Sequence, residues 1–208
     1  MIDLEFSEPL SGLPAKANAI LFDCDGTLVD TMGAHYSSWM DVLQAEEAEG
    51  TLEYDRFCTW GGMAGELVAK EICLELKLSH DPAVLAQRKR DHFMKQEYRH
   101  PVIRPVAEFA RSVAKTHPVA VVSGGNRQTV HQTLRDAGLD DLFSVVVTPE
   151  DVAHGKPAPD MFLLAASTLG VDPEGCWVLE DGPPGIKGAW AAGMNVVAIG
   201  TAANQQLK

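Results

Sequence analysis

The sequence has few cysteines and no long hydrophobic run, and both absences limit what the protein can be. Its four cysteines, Cys24, Cys58, Cys73 and Cys176, are scattered and form no C-x-x-C pair, so neither a disulfide framework nor a structural zinc site is indicated. No apolar stretch approaches the roughly 20 residues that cross a bilayer. The opening residues MIDLEFSEPL carry acids where a secretory signal carries bases. We therefore expect a cytoplasmic protein with reduced thiols and no membrane partner.

Basic residues are also scarce. The chain has 17 Lys and Arg against 29 Asp and Glu, which gives a net charge of −12. A charge of this sign repels nucleic-acid backbones and anionic membrane surfaces. We therefore expect no nucleic-acid partner, and a small anionic ligand would need a metal ion and local donors to bind.

The length and composition are those of a globular protein with a large core. The chain has 208 residues, of which 46% are hydrophobic and 22% charged, and this balance excludes a disordered chain or a fibre. Only the last residues, TAANQQLK, are typical of a fraying terminus. We expect a monomer or a weak homo-oligomer.

Short apolar runs alternate with segments of helical composition. Helices are predicted over 126–138, 159–170 and 184–193, each ending at a glycine. This alternation predicts an α/β fold with a doubly wound, mostly parallel, Rossmann-like sheet of five or more strands. The runs that predict buried strands are 19–23, 119–123, 143–147, 176–181 and 195–200.

The first two predicted strands are too far apart for a single crossover. About a hundred residues separate them, whereas one crossover helix needs a dozen or more. Residues 31–100 have helical patterning throughout, and Asp81-Pro82 is a typical helix start. We therefore predict an inserted helical cap domain at 31–100, and an α/β core formed by 1–30 and 101–208 that resumes with a helix at about 105–116.

Chemically reactive residues follow four of the predicted strands. The carboxyl ends of parallel strands meet at one edge of a sheet, where ligands bind. Carboxylates gathered there repel one another unless a cation lies among them, and oxygen ligands predict a hard ion such as Mg²⁺. The residues concerned are Asp23 and Asp25, Ser123-Gly124-Gly125, Lys156, and Glu180-Asp181.

The D-x-D pattern at the first strand indicates a specific chemistry. Residues two apart in an extended segment point the same way, so Asp23 and Asp25 can face one pocket. One aspartate can attack a phosphoryl group as a covalent nucleophile while the other moves protons. Ser123, Lys156 and the backbone N–H groups of the glycine turn would neutralise the transferring group.

Four motifs together resemble a known family. FDCDGTLVD at 22–30, VSGG at 122–125, KPAPD at 156–160 and LEDGPPGI at 179–186 resemble, in order and spacing, the signature motifs of the haloacid dehalogenase-like (HAD) phosphohydrolases. The helical insertion is similar to the cap of the subgroup that contains β-phosphoglucomutase, phosphoglycolate phosphatase and sugar-phosphate phosphatases. The resemblance implies a Mg²⁺-dependent phosphatase that hydrolyses a small phosphomonoester, a sugar phosphate, through an aspartyl phosphate.

The resemblance also implies roles for individual core residues. Asp23 would be the nucleophile and a Mg²⁺ ligand, and Asp25 the general acid/base, with its backbone carbonyl also on the metal. Asp181 would be the remaining carboxylate ligand, with Glu180 ligating directly or through water. The phosphoryl group would be held by Ser123, Gly124 and Lys156.

Within the predicted cap the resemblance implies three further site residues. His35 and Lys89 match positions that link cap closure to the orientation of the acid/base, and Gly61 lies in a stretch similar to the loop that sets substrate specificity. Two plainer interpretations stay open: His35 packs against Trp39, and Lys89 belongs to a charged helix face.

The specificity loop departs from the mutase pattern. β-Phosphoglucomutase carries an arginine just after its loop glycine, whereas GGMAGE at 61–66 has no basic residue. A second phosphate would lack its partner, so hydrolysis is favoured. The alternatives are a β-phosphoglucomutase-type phosphomutase and a catalytically idle relative that binds a phosphorylated ligand or a partner protein.

Overall fold

The structure is a computed structural model that describes residues 17–96 and 99–200. The expectations for the opening residues and for 201–208 lie outside the described residues. The strands are β1 (Ala19–Phe22), β2 (Val119–Val122), β3 (Val145–Val147), β4 (Cys176–Glu180) and β5 (Asn195–Ala198). The α-helices are α1 (Met32–Ala45), α2 (Tyr54–Cys58), α3 (Gly65–Glu75), α4 (Pro82–Met94), α5 (Arg104–Val113), α6 (Arg127–Asp136), α7 (Asp160–Leu169) and α8 (Pro183–Ala191).

The five strands form one parallel sheet in the order β3-β2-β1-β4-β5. The chain winds outward from β1 to β3 and then returns to the other side of β1 through β4 and β5, so the predicted doubly wound α/β fold is confirmed. Strand β3 begins at Val145, two residues later than predicted. Phe143 packs instead against Phe22 at a ring-centroid distance of 5.7 Å, because the chain reaches β3 from a short 3-10 helix at Asp140–Leu142.

Alternation along the buried strands sends side chains to two cores. Phe22 packs on one face of the sheet with Val106 of α5 and Val130 of α6. Leu21 packs on the other face with Phe162 of α7 and Ala189 of α8. Burying a side chain as large as Phe22 contributes about 1.5–3 kcal/mol. The strand ends, and the residues that follow them, are therefore held rigidly.

Helices α1–α4, here called the helical insertion, lie between β1 and α5 in the chain and have a hydrophobic cluster of their own. The predicted start at Asp81-Pro82 is confirmed, since Asp81 accepts a 2.9 Å hydrogen bond from the Ala83 N–H. None of the helices within 17–96 and 99–200 is both long and apolar enough to cross a bilayer. The cluster includes Trp39, Leu52, Phe57, Ile72 and Leu85.

Candidate active site

Three carboxylates meet at the carboxyl edge of the sheet. Strands β1 and β4 are hydrogen-bonded neighbours with Phe22 opposite Leu179, so Asp23 lies beside Glu180 and Asp181. One oxygen from each carboxylate lies within 4.8 Å of the others. The three residues are at most 5% exposed. We call these three residues the acidic cluster.

Lys156 is buried beneath this cluster. Its Nζ donates hydrogen bonds to Asp23 Oδ1 at 2.7 Å and to Glu180 Oε2 at 3.0 Å, and the side chain is 0% exposed. Burial alone would lower the pKa of Lys156, but the two carboxylates outweigh burial and raise it. Lys156 is therefore a protonated, buried counter-ion and not a solvated loop lysine.

One lysine does not balance three carboxylates. Burial, reinforced by the neighbouring negative charges, raises the pKa values of Asp23 and Glu180, and raises the pKa of Asp181 to about 8. Among the described residues, Asp23 Oδ2 has no hydrogen-bond partner. Thr27 Oγ1 orients Asp181 by donating to its Oδ1 at 2.8 Å. An all-oxygen donor set with an unpaired buried oxygen fits a hard divalent cation such as Mg²⁺.

The Asp25 carboxylate is not part of the acidic cluster and has hydrogen-bond contacts of its own. Its Oδ1 accepts a hydrogen bond from Thr31 Oγ1 at 2.7 Å and lies 3.2 Å from His35 Nε2, and its Oδ2 is 3.5 Å from Ser123 Oγ. Burial alone would raise the pKa of Asp25, but His35 and Thr31 outweigh it and lower the pKa to about 2. The Asp25 side chain is thus ionised, oriented and available for proton transfer.

His35 and Lys89 extend this network into the helical insertion. Lys89 Nζ lies 2.5 Å from His35 Nδ1. When Lys89 is protonated it can only donate, so Nδ1 accepts and the ring proton of His35 is on Nε2, which faces Asp25. The His35 ring stacks on Phe93 at 4.1 Å, and burial lowers the pKa of Lys89 to about 7. Neither residue is a solvated surface group, and together they connect Asp25 to α1 and α4.

The loop at Gly61-Gly62 packs directly on the sheet edge. A Cβ atom at Gly124 would overlap the carbonyl of Gly62, and a Cβ atom at Gly182 would overlap the carbonyl of Gly61. Only glycine permits this approach of backbone to backbone. The helical insertion therefore closes over the site in this structure.

A cavity of about 350 Å³ lies between the sheet edge and the helical insertion. Asp23, Asp25, Ser123 and Gly124 line the floor of the cavity. Among the described residues that line it, Lys156, Glu180 and Asp181 are absent. The insertion contributes His35, Gly61 and Lys89, the aromatic residues Trp39, Phe57 and Trp60, and the polar residues Glu66, Gln87 and Arg90.

Several site residues were not predicted from the sequence. Thr27 donates a hydrogen bond to Asp181 and Thr31 donates one to Asp25, and the positions of both threonines just after the D-x-D motif were a usable signal. Arg90 directly follows Lys89 in the run Arg88-Lys89-Arg90, and a charged helix face is one of the interpretations that the sequence leaves open for Lys89. Successive residues point about 100° apart on a helix, so the run itself does not say which base faces the cavity.

A buried acidic cluster beside a cavity at the carboxyl ends of parallel strands is typical of an enzyme active site. The model of the haloacid dehalogenase-like hydrolase family matches residues 17–193. The chain belongs to this family of hydrolases, and the resemblance drawn from the four motifs is confirmed.

Characterised proteins and solved structures agree with this family. Fructose-1-phosphate phosphatase YqaB of Escherichia coli is 33% identical over 86% of this chain and 95% of its own length. β-Phosphoglucomutase of Bacillus subtilis is 28% identical over 88% of this chain and 83% of its own. A hydrolase from Pseudomonas syringae superposes with a TM-score of 0.78 and 25% identity, over 87% of this chain and 84% of its own. These relatives support the predicted class, a phosphoric monoester hydrolase.

Proposed function

We propose that the protein is a Mg²⁺-dependent phosphatase that hydrolyses a small phosphomonoester, a sugar or sugar-alcohol phosphate, in the cavity between the sheet edge and the helical insertion. One observation carries the proposal: Asp23 lines the cavity with Oδ1 held by Lys156 and with Oδ2 unpaired among the described residues. A buried carboxylate held by a lysine, with one oxygen left unpaired, is suited to attack phosphorus.

The chemistry would proceed in two steps. An Asp23 oxygen attacks phosphorus while the bond from phosphorus to the leaving oxygen breaks. Asp25 is ionised before substrate binds, so the proton that it delivers to the leaving oxygen comes from the phosphomonoester, which binds as its monoanion. Asp25 then takes a proton from water, which attacks the aspartyl phosphate and releases inorganic phosphate. Because Thr31 and His35 occupy Oδ1 of Asp25, its Oδ2 is the oxygen that moves the proton.

Bound Mg²⁺ would neutralise the charge that develops on the transferring phosphoryl group. Asp23, Asp181 and the backbone carbonyl of Asp25 would hold it. Both oxygens of Glu180 already accept hydrogen bonds, from Lys156 at 3.0 Å and from the Gly182 N–H at 3.3 Å, which favours ligation through water. Ser123 and Gly124, at the cavity floor, would bind the phosphoryl group together with Lys156, whose Nζ also holds Asp23.

The helical insertion would act as a cap. We propose that residues 1–30 and 101–208 form the catalytic core and that 31–100 open for substrate and close to exclude water. The packing of Gly61 and Gly62 on the sheet edge supports a closed state. The cytoplasmic location and the monomeric or weakly associating state stay predictions.

The names of two relatives favour sugar and sugar-alcohol phosphates as substrates. The Escherichia coli relatives named fructose-1-phosphate phosphatase and hexitol phosphatase A are 33% and 30% identical to this chain. A phosphomutase is less favoured, because the loop at 61–66 lacks the arginine that β-phosphoglucomutase carries at that position. A catalytically idle protein is less favoured still, since buried unneutralised carboxylates destabilise a fold that gains nothing from them.

Release of inorganic phosphate from an aryl phosphate and from a panel of sugar phosphates tests this function. We expect the wild-type protein to turn over substrate with Mg²⁺ and not with EDTA, and we expect almost no turnover in Asp23→Asn. Asp140→Asn, a matched substitution at an exposed acid, should keep wild-type turnover. Asp25→Ala should bind Mg²⁺ and lose about 10²–10⁴ in kcat. Turnover retained by Asp23→Asn contradicts the mechanism, and conversion of glucose 1-phosphate to glucose 6-phosphate faster than phosphate release favours the mutase.

A further inference from the structure

A second concave surface adjoins the cavity, between one face of α4 and one face of α6. On α4 it is lined by Gln87, Arg90, Asp91 and Met94, whose spacing of three and four residues places them on one side of the helix. We call this surface the basic groove. Its α6 wall includes, at four-residue spacing, Arg127, His131 and Arg135.

The charge of the groove is opposite in sign to the charge of the whole chain. The protein has a net charge of −12, whereas the groove has more basic than acidic side chains. A local excess of positive charge concentrates anions. The charged lining consists of Arg90, Lys95, Arg127 and Arg135 against Asp91 and Glu150.

Arg90 differs from the other arginines of the groove. Arg127 donates to Asp151 Oδ1 at 2.6 Å, and Arg135 donates to Gln132 Oε1 at 2.9 Å. The partly buried Arg90 guanidinium has no carboxylate or hydrogen-bond acceptor within the part of the chain that the structure describes. Its N–H donors are thus available to an external anion, which a guanidinium can bind through two parallel hydrogen bonds.

Arg90 also lies where the groove meets the cavity. Gln87, Arg90 and Asn126 line both surfaces, whereas Asp23 lines only the cavity. A leaving group that extends from a phosphoryl group at Asp23 to the border between the two surfaces would therefore meet Arg90. Glu66 lines the cavity but not the groove.

We propose that Arg90, together with Gln87 and Asn126, binds a second anionic group, a phosphate or a carboxylate, on the leaving group of the substrate. This inference rests on the proposed phosphatase function and narrows its substrates to phosphomonoesters that carry a second anion. Arg90 is then a specificity-determining residue of the helical insertion.

Matched substrate pairs test the proposal. Glucose 6-phosphate is compared with 6-phosphogluconate, and fructose 1-phosphate with fructose 1,6-bisphosphate, so that within each pair the leaving group differs by its second anion. We expect kcat/KM to be about tenfold or more higher for the member with two anions. In Arg90→Gln that ratio should fall to about one, whereas Lys70→Gln, which removes the same charge from an exposed position of α3, should keep it.

Binding without turnover separates this proposal from the proposed function. Titration calorimetry of the four esters is performed on Asp23→Asn and on Asp23→Asn combined with Arg90→Gln. If the wild-type protein releases phosphate neither from these esters nor from the aryl phosphate and the sugar-phosphate panel, the phosphatase function fails, whereas tighter binding of the doubly anionic members that depends on Arg90 still supports the anion site. Equal binding within each pair overturns the anion site. Arg90-dependent inhibition by sulfate with no preference within the pairs assigns the groove to a free anion and also overturns it.

Discussion

Lys156 Nζ and Asp23 Oδ1 lie 2.7 Å apart, although 133 positions separate the two residues in the chain. Lys156 reaches Asp23 from the loop between β3 and α7, and it contacts Glu180 at the end of β4 at the same time. The ammonium group therefore joins two strand ends and partly neutralises a cluster of acids that burial alone would disfavour.

Removing this ammonium group should destabilise the protein. In Lys156→Met we expect the free energy of unfolding near neutral pH to fall by about 3–5 kcal/mol, because Asp23 and Glu180 are left buried without a cation. Chemical denaturation measures the change. Lys187→Met, at an exposed position of α8, should stay within about 0.5 kcal/mol of wild type. Equal stability of the two variants would show that the Lys156 contacts contribute nothing.

Lys89 should act on turnover through His35. Lys89→Met removes the donor that holds His35 Nδ1, so Asp25 loses a correctly oriented partner. We expect kcat to fall by about 10- to 100-fold, the range found for residues that orient active groups, with a smaller change in KM. Steady-state kinetics with the exposed Lys70→Met as control measures both. A rise in KM at unchanged kcat would mean that Lys89 binds substrate instead.

Closure of the helical insertion should depend on Gly124. A Cβ atom there would overlap the Gly62 carbonyl, so Gly124→Ala should keep the cavity from closing and lower kcat/KM by about 100-fold. Gly33→Ala is the matched control, because a Cβ atom at Gly33 meets nothing within 4 Å. If kinetics show wild-type kcat/KM for Gly124→Ala, the loop contact is not needed for catalysis.

The acidic cluster should make metal-free protein less stable as pH rises. The pKa of Asp181 rises from 3.8 to about 8 on folding, and those of Asp23 and Glu180 also rise. The folded state therefore binds more protons than the unfolded state between about pH 4 and pH 8, and its stability falls across that interval.

Mg²⁺ should counteract this loss because it replaces protons on the cluster. Thermal unfolding with EDTA or Mg²⁺ should show a larger rise in Tm on adding Mg²⁺ at about pH 8 than at about pH 5, and Asp181→Asn should reduce both the pH slope and the Mg²⁺ effect. An equal Mg²⁺ effect at both pH values would contradict a cluster that exchanges protons for a cation.

Much of the fold and of the core site was predictable from the sequence. Strands β1, β2, β4 and β5 follow from short apolar runs, and strand–helix alternation allows few arrangements other than a parallel sheet. Since parallel strand ends share one edge, Asp23 and Asp181 were expected at the same edge, and the pairing of β1 with β4 places them side by side. The start of β3 was less predictable, because Phe143 is apolar whether it extends a strand or packs against Phe22.

The contacts across the helical insertion were not predictable in the same way. Whether Lys89 or Arg90 faces His35 depends on how α4 rotates against α1, and a run of three bases does not specify that rotation. Gly62 approaches Gly124 closely in space, and the number of residues between them in the chain does not predict this contact.

The amino-acid sequence alone therefore determined the helices and strands, their order along the chain and the gathering of acids at one edge of the sheet. Hydrophobic periodicity is a local property of the chain, and few folds are compatible with this alternation of strands and helices. Only the tertiary structure decided that Lys156 is a buried counter-ion, that the insertion closes over Asp23, and that Arg90 lies unpaired, among the described residues, at the cavity mouth. These outcomes depend on packing between distant helices and loops, where small changes in rotation change which side chain meets which.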